Sequence, residues 1–357
     1  MSNTPVKLAT PRMLHLALFA TGLLWLFAAH TAAAHAARGF STLLSLPLLD
    51  HLLRAVFELL LLLAGFTALE WIATRQGSLS QTNALPWRAT TGREFRLGFA
   101  LGWAMLVAVA LLIVVFGQLH SLFWFAGRAW MIAAIEILTL ALSTLVAEIA
   151  FRGFLFRELI NAVGEVAAMV LMAMIYALVS SFSPNSGSLS VTVVFIFGFL
   201  YSIAYLRTHA LWTGWGIHFG WTVMMGVFFG LPIMSSGVYS SVVSSDLSGP
   251  AWLNGGVFGP DGSTLAIAAA LGGMAVLYQM TREFSWQYTH TPIVAGGYAV
   301  DPPPPAEHLA LERSASFSSP AAPASLIQIQ AATSQTSSTV AAIDKHLRTG
   351  NSEPPVE

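Results

Sequence analysis

The sequence predicts an all-α fold: a polytopic membrane helix bundle of about eight transmembrane helices, followed by a disordered C-terminal tail. Three observations carry this: a composition poor in charge, apolar runs of helical-span length, and a one-sided distribution of basic residues. Of 357 residues, 55% are hydrophobic and only 9% charged, whereas a soluble domain carries about a quarter charged residues. The 16 basic and 17 acidic residues cannot cover a soluble surface of this length. A net charge of −1 provides no basic field for nucleic acid, so no nucleic-acid partner is expected. The absence of cysteine excludes disulfides, thiolate metal sites and a cysteine nucleophile.

The apolar runs are Met13–Ala33, Leu52–Ile72, Leu97–Phe116, Trp130–Ala150, Val166–Phe182, Leu189–Tyr205, Ala210–Gly230 and Thr264–Met280. Each approaches the length that a helix rising 1.5 Å per residue needs to cross ~30 Å of hydrocarbon. The first run, after Lys7 and Arg12, also reads as a signal peptide ending near Ala32-Ala33-Ala34-His35-Ala36. Its apolar core is long for that role, and an uncleaved helix is the better reading.

Basic residues concentrate in cytoplasmic loops. With the N-terminus inside, Lys7, Arg12, Arg75, Arg88, Arg93, Arg96, Arg152, Arg157, Arg207 and Arg282 all fall on the inner side, while Arg38 and Arg128 fall outside and Arg54, at the foot of the second helix, is assigned to neither side. The expected location is a bacterial-type inner membrane, multi-pass, with both termini cytoplasmic and the lipid bilayer as immediate partner. From about Tyr288 the apolar pattern stops, and Asp301-Pro302-Pro303-Pro304-Pro305 opens a tail rich in Pro, Ser, Ala, Thr and Gln. Such a segment buries too little surface to offset its ordering entropy. The organisation expected is N-terminal membrane helices over residues 1–94, a membrane core over 95–285 and a cytoplasmic tail over 286–357.

Ionisable residues inside spans are functional candidates because they are costly there. The most informative stretch is Ala147-Glu148-Ile149-Ala150-Phe151-Arg152-Gly153-Phe154-Leu155-Phe156-Arg157. Glu148 and Arg152 stand four apart on one helical face and are able to pair. A buried pair of this kind equally serves helix packing alone. Three further features are read as structural or solvated: Glu136, the Arg54/Glu58 pair at spacing four, and the Gly- and Ser-rich loop after Gly230 with Asp246 and Asp261.

This stretch resembles the first motif of the CAAX prenyl-protease and bacteriocin-processing family of intramembrane proteases, two adjacent Glu and then Arg in a Phe-Arg-Gly context. The second motif of that family, Phe and then His, aligns with Tyr176-Ala177-Leu178-Val179-Ser180. The third, His and then Asn or Asp, aligns with His218-Phe219-Gly220-Trp221-Thr222. Gly230-Leu231-Pro232 and the segment Gly255–Gly262 are similar to a bacterial branch. A fourth helix continued to a turn near Val163 places Glu148 roughly 22 Å above that turn, Ser180 about 24 Å and Thr222 about 21 Å above their own turns, with His218 one turn lower. These positions then share one slab of the membrane.

The resemblance implies a site in which the first Glu activates water and two His complete the centre, often with metal. Here Ala147 stands at the first Glu, Ser180 at the second-motif His and Thr222 at the Asn, while Glu148, Arg152 and His218 are kept. One His and one Glu are too few ligands for ordinary zinc catalysis. No cofactor or metal ligand is therefore expected, and zinc enters only if the family site functions. Glu148, Arg152 and His218 are the catalytic candidates. Other histidines (His15, His30, His35, His51, His120, His209) offer no convincing substitute. The expected function is a CAAX-protease-like endopeptidase homologue that is catalytically impaired, with a membrane-bound peptide or protein as its substrate class. The alternatives are an active endopeptidase using Glu148 and His218, and a non-enzymatic membrane binding or chaperone protein. A transporter is disfavoured, because neither an inverted repeat nor a pair of broken helices is evident.

Overall fold

The computed structural model describes residues 12–116, 119–235 and 242–282. The expected tail lies outside them. The helices are α1 (Arg12–Leu43), α2 (Asp50–Thr74), the short α3 (Leu79–Thr82), α4 (Thr91–Val115), α5 (Gly127–Arg152), α6 (Phe154–Val163), α7 (Glu165–Ser180), α8 (Ser188–Thr208), α9 (Trp212–Val223), the short α10 (Ala251–Asn254) and α11 (Thr264–Met280). Each apolar run of the sequence overlaps one of these helices, though the Ala210–Gly230 run extends well past α9. Large apolar side chains such as Leu24, Phe27, Val115 and Leu178 stay exposed, as suits helices facing lipid.

Among the described residues, five segments are long and apolar enough to cross a membrane: Arg12–Leu43, Pro47–Thr74, Thr91–Val115, Gly127–Val163 and Ser188–Thr208. The remaining three of the expected eight are shorter, with 16 residues in α7, 12 in α9 and 17 in α11. Helix α9 is extended by a π turn over Met224–Phe228. At 1.5 Å per residue these elements fall short of a full hydrocarbon crossing.

The tightest interface joins α4 to α9, and glycine makes it possible. A Cβ on Gly98 or Gly102 of α4 would strike the carbonyls of Thr213 and Ile217. A Cβ on Gly216 or Gly220 of α9 would strike those of Phe95 and Phe99. Two Gly-x-x-x-Gly faces thus meet backbone to backbone, which is the means by which membrane helices gain packing without a hydrophobic driving force. The hairpin α1–α2 packs on α6 and α5. It is also tied there by His15 to Glu158 at 2.7 Å and Arg157 to Glu70 at 2.9 Å.

Two expectations about local structure are corrected. The helix carrying the first motif does not run unbroken to Val163; it stops at Arg152 and restarts at Phe154 through Gly153 (φ −81°, ψ −122°). A Cβ there would press against the Ile149 carbonyl, so glycine permits the break. The loop after Gly230 is also not merely solvated. Its β2 (Val243–Leu247) pairs antiparallel with β1 (Leu119–Phe123), from Leu119 opposite Leu247 to Phe123 opposite Val243. Edge backbone that would otherwise need water is satisfied in this ladder.

Candidate active site

The break at Gly153 ends α5 with Glu148 and Arg152 both fully buried. They approach only to 4.0 Å, between Oε1 and Nη1, so the expected pair is loose. Arg152 is held chiefly by other groups. Its guanidinium lies 4.4 Å from the Tyr176 ring centroid on α7 and 5.1 Å from that of Tyr201 on α8. Its Nη2 donates to the Gly198 carbonyl at 3.4 Å. Gly198 also lets α7 approach, since a Cβ there would meet Ala173.

Glu148 makes its short contact with His218 on α9, Oε1 to Nδ1 at 2.9 Å. The carboxylate can only accept, so a neutral His218 ring carries its hydrogen on Nδ1 and leaves Nε2 as acceptor. The ring stacks on Tyr201 at 4.8 Å between centroids and 19° between planes. Gly214, one turn before His218, leaves room for Glu148: a Cβ there would sit 3.2 Å from Oε2. That oxygen and the Arg152 Nε and Nη1 are buried without hydrogen-bond partners.

A cavity of about 290 Å³ opens beside this cluster, lined by Ala147, Ser180, His218, Thr222, Tyr176 and Asp261 among others. The three positions that depart from the family motifs thus line one space with His218. Glu148 and Arg152 do not line it. Ser180 donates to the Ala177 carbonyl at 2.7 Å, so its hydroxyl is committed to its own helix. Among the described residues, no three His, Asp or Glu side chains come together in a way that could hold a metal ion.

Asp261 is the main correction at the site. Read from sequence as part of a solvated loop, it is buried and accepts from the Trp221 indole N–H at 2.8 Å. Burial pushes its carboxyl up to about 6, against the opposing effects of the Trp221 hydrogen bond, His218 and the Met234 backbone N–H. The loop reaches this depth because Gly255 and Gly259, at φ +84° and +91°, allow tight turns on either side of Phe258. The sequence signal was present in that dense run of glycines. Tyr201, Trp221 and Gly214 were missed as site residues, because aromatic and glycine residues are common throughout such a chain.

Of the remaining candidates, Arg54 and Glu58 are not directly paired. His30 stands between them, accepting from Arg54 Nη2 at 2.7 Å and meeting Glu58 Oε1 at 2.8 Å. His209 caps α8 in the left-handed region and does not lie on α9.

A family model described as Rce1-like, type II CAAX prenyl endopeptidase, matches residues 129–224. The matched stretch runs from α5 into the π turn after α9 and includes Ala147, Glu148, Arg152, Ser180, His218 and Thr222. Over this stretch the chain is similar to that family. No curated protein and no solved structure matches it.

Proposed function

We propose that the protein is a catalytically impaired homologue of CAAX-type intramembrane endopeptidases, whose cavity binds a membrane-borne peptide without cleaving it. One observation carries this reading. Glu148, the acid kept from the first motif, is wholly buried against His218 and does not line the cavity, while Ala147, which does, has no acid to offer. Peptide hydrolysis needs a base within reach of a water and a group to stabilise the oxyanion. His218 remains as a cavity-facing imidazole, oriented by Glu148 as carboxylates orient histidines in working sites. Ser180 and Thr222 bring hydroxyls where the family has an imidazole and an amide. Zinc would find too few donors around this cavity. The setting we infer is a bacterial-type inner membrane with both termini cytoplasmic, supported by the placement of the basic residues.

The test is cleavage of a panel of membrane-anchored peptides by the purified full-length protein. The expected result is no turnover above a buffer blank, together with saturable peptide binding that His218→Ala weakens. Turnover that disappears in Glu148→Ala would overturn the proposal and make Glu148 the base.

A further inference from the structure

A second cavity, of about 520 Å³, lies between the N-terminal helices and the core, and none of its polar residues belongs to the family motifs. Its volume is within the ~300–1,000 Å³ typical of small-molecule sites. One part is apolar, with Leu23, Leu26, Val146, Ala150, Phe151 and Ile175. The other is polar, with His30, His51, Arg54 and Glu58. A space with one greasy and one charged region, opening between spanning helices, suits an amphiphile.

The hydrogen-bond directions decide the sign of its head. Arg54 can only donate, so its Nη2–H donates a hydrogen bond to His30 Nε2; His30 then carries its hydrogen on Nδ1 and donates a hydrogen bond to Glu58. Glu58 is buried, and its Oε1 is engaged by His30. The Arg54 guanidinium has spent one of its five N–H donors in this chain, and its planar fork matches a carboxylate or phosphate. A cationic head would meet that guanidinium with like charge. We propose that this cavity binds an anionic amphiphile, a carboxylate or phosphate head on a long alkyl chain, with the head on Arg54 and the chain among the apolar residues.

The site adjoins the first cavity. Ser143, Ala147 and Val179 line both spaces. The Ala147 methyl, which stands where the family has an acid, is thus part of the wall between them. A bound alkyl chain therefore lies beside the His218 cavity, yet the proposal does not depend on what that cavity does.

The experiment is equilibrium binding to the purified full-length protein in a non-ionic detergent, using oleate, oleyl phosphate, oleyl alcohol and inorganic phosphate as separate probes. Oleate and oleyl phosphate should bind saturably at one per chain, oleyl alcohol at least tenfold more weakly, and inorganic phosphate not measurably. Arg54→Gln should weaken the anionic probes about tenfold or more, as loss of a charge-assisted hydrogen bond does, and leave oleyl alcohol unchanged. Val179 is itself exposed, so Val179→Phe can fill the cavity without disturbing the core and should weaken all three chain-bearing probes. Should Arg54→Gln fail to fold, Arg54→Lys, which keeps the charge and loses the fork, takes its place beside Val179→Phe. Equal affinity for oleate and oleyl alcohol would overturn the proposal. So would anion binding that survives both substitutions, or inorganic phosphate binding as tightly as oleyl phosphate.

Discussion

Glu148 and His218, 70 residues apart in sequence, meet at 2.9 Å where α5 and α9 cross, and Gly214 makes that approach possible. The contact makes the acid a positioning group for the imidazole. It also leaves Arg152 a buried cation whose nearest neutralising charge is 4.0 Å away.

Removing Arg152 should therefore be costly. Arg152→Leu leaves the Glu148 carboxylate buried without a counter-charge, an effect of about 3–5 kcal/mol. The double substitution Glu148→Leu, Arg152→Leu should recover part of that loss. Thermal unfolding of both single variants and the double variant gives the coupling directly, and strictly additive shifts would show that the two charges do not interact.

Restoring the missing groups tests the impaired-site reading from the other side. Ala147, Ser180 and Thr222 already line one cavity with His218. The triple variant Ala147→Glu, Ser180→His, Thr222→Asn should retain zinc through purification, while the natural protein should hold well under one equivalent. Elemental analysis of both proteins is the check. Peptide cleavage should return less completely than metal binding, because the groups supporting the ligands have not been restored.

Asp261 should give the protein a measurable pH dependence. Its folded carboxyl titrates at about 6 against an ordinary 3.8. The stabilisation tied to its protonated form is full below about pH 4 and is lost as pH rises through 6. The difference corresponds to about 3 kcal/mol. Asp261→Asn keeps an oxygen for the Trp221 N–H and cannot ionise, so its stability relative to the natural protein should rise between pH 4 and pH 7. Parallel melting curves across that range would refute the assignment.

The α4–α9 contact should be intolerant of a single methyl group. Gly216→Ala pushes a Cβ into the Phe95 carbonyl, whereas Gly272→Ala on α11 meets open space. The first should cost about 1–3 kcal/mol through overpacking. The second should be neutral or slightly stabilising, and comparing the two melting temperatures separates packing from helix propensity.

The inferred topology is open to a simple fusion experiment. A reporter active only outside the cytoplasm, joined after residue 290, should give no signal; joined within the Ser235–Gly262 loop, it should give a strong one.

By itself the sequence determined that the chain is a membrane helix bundle and where its helices lie, because apolar runs of span length read the bilayer directly. It also singled out candidate positions for the site. Helical rise is constant, so counting residues from neighbouring turns brought Glu148, Ser180, His218 and Thr222 to one level. Tertiary structure alone decided what those residues contact. That Glu148 meets His218 depends on the room left by Gly214, which has no periodicity to read. The depth of Asp261 was hidden in the same way, since a loop rich in glycine looks solvated until the glycines are seen making turns that only they can make. The α4–α9 faces, Gly98 with Gly102 and Gly216 with Gly220, were written in the sequence. Their pairing was not, because which glycine face meets which is fixed by the bundle and not by either helix alone.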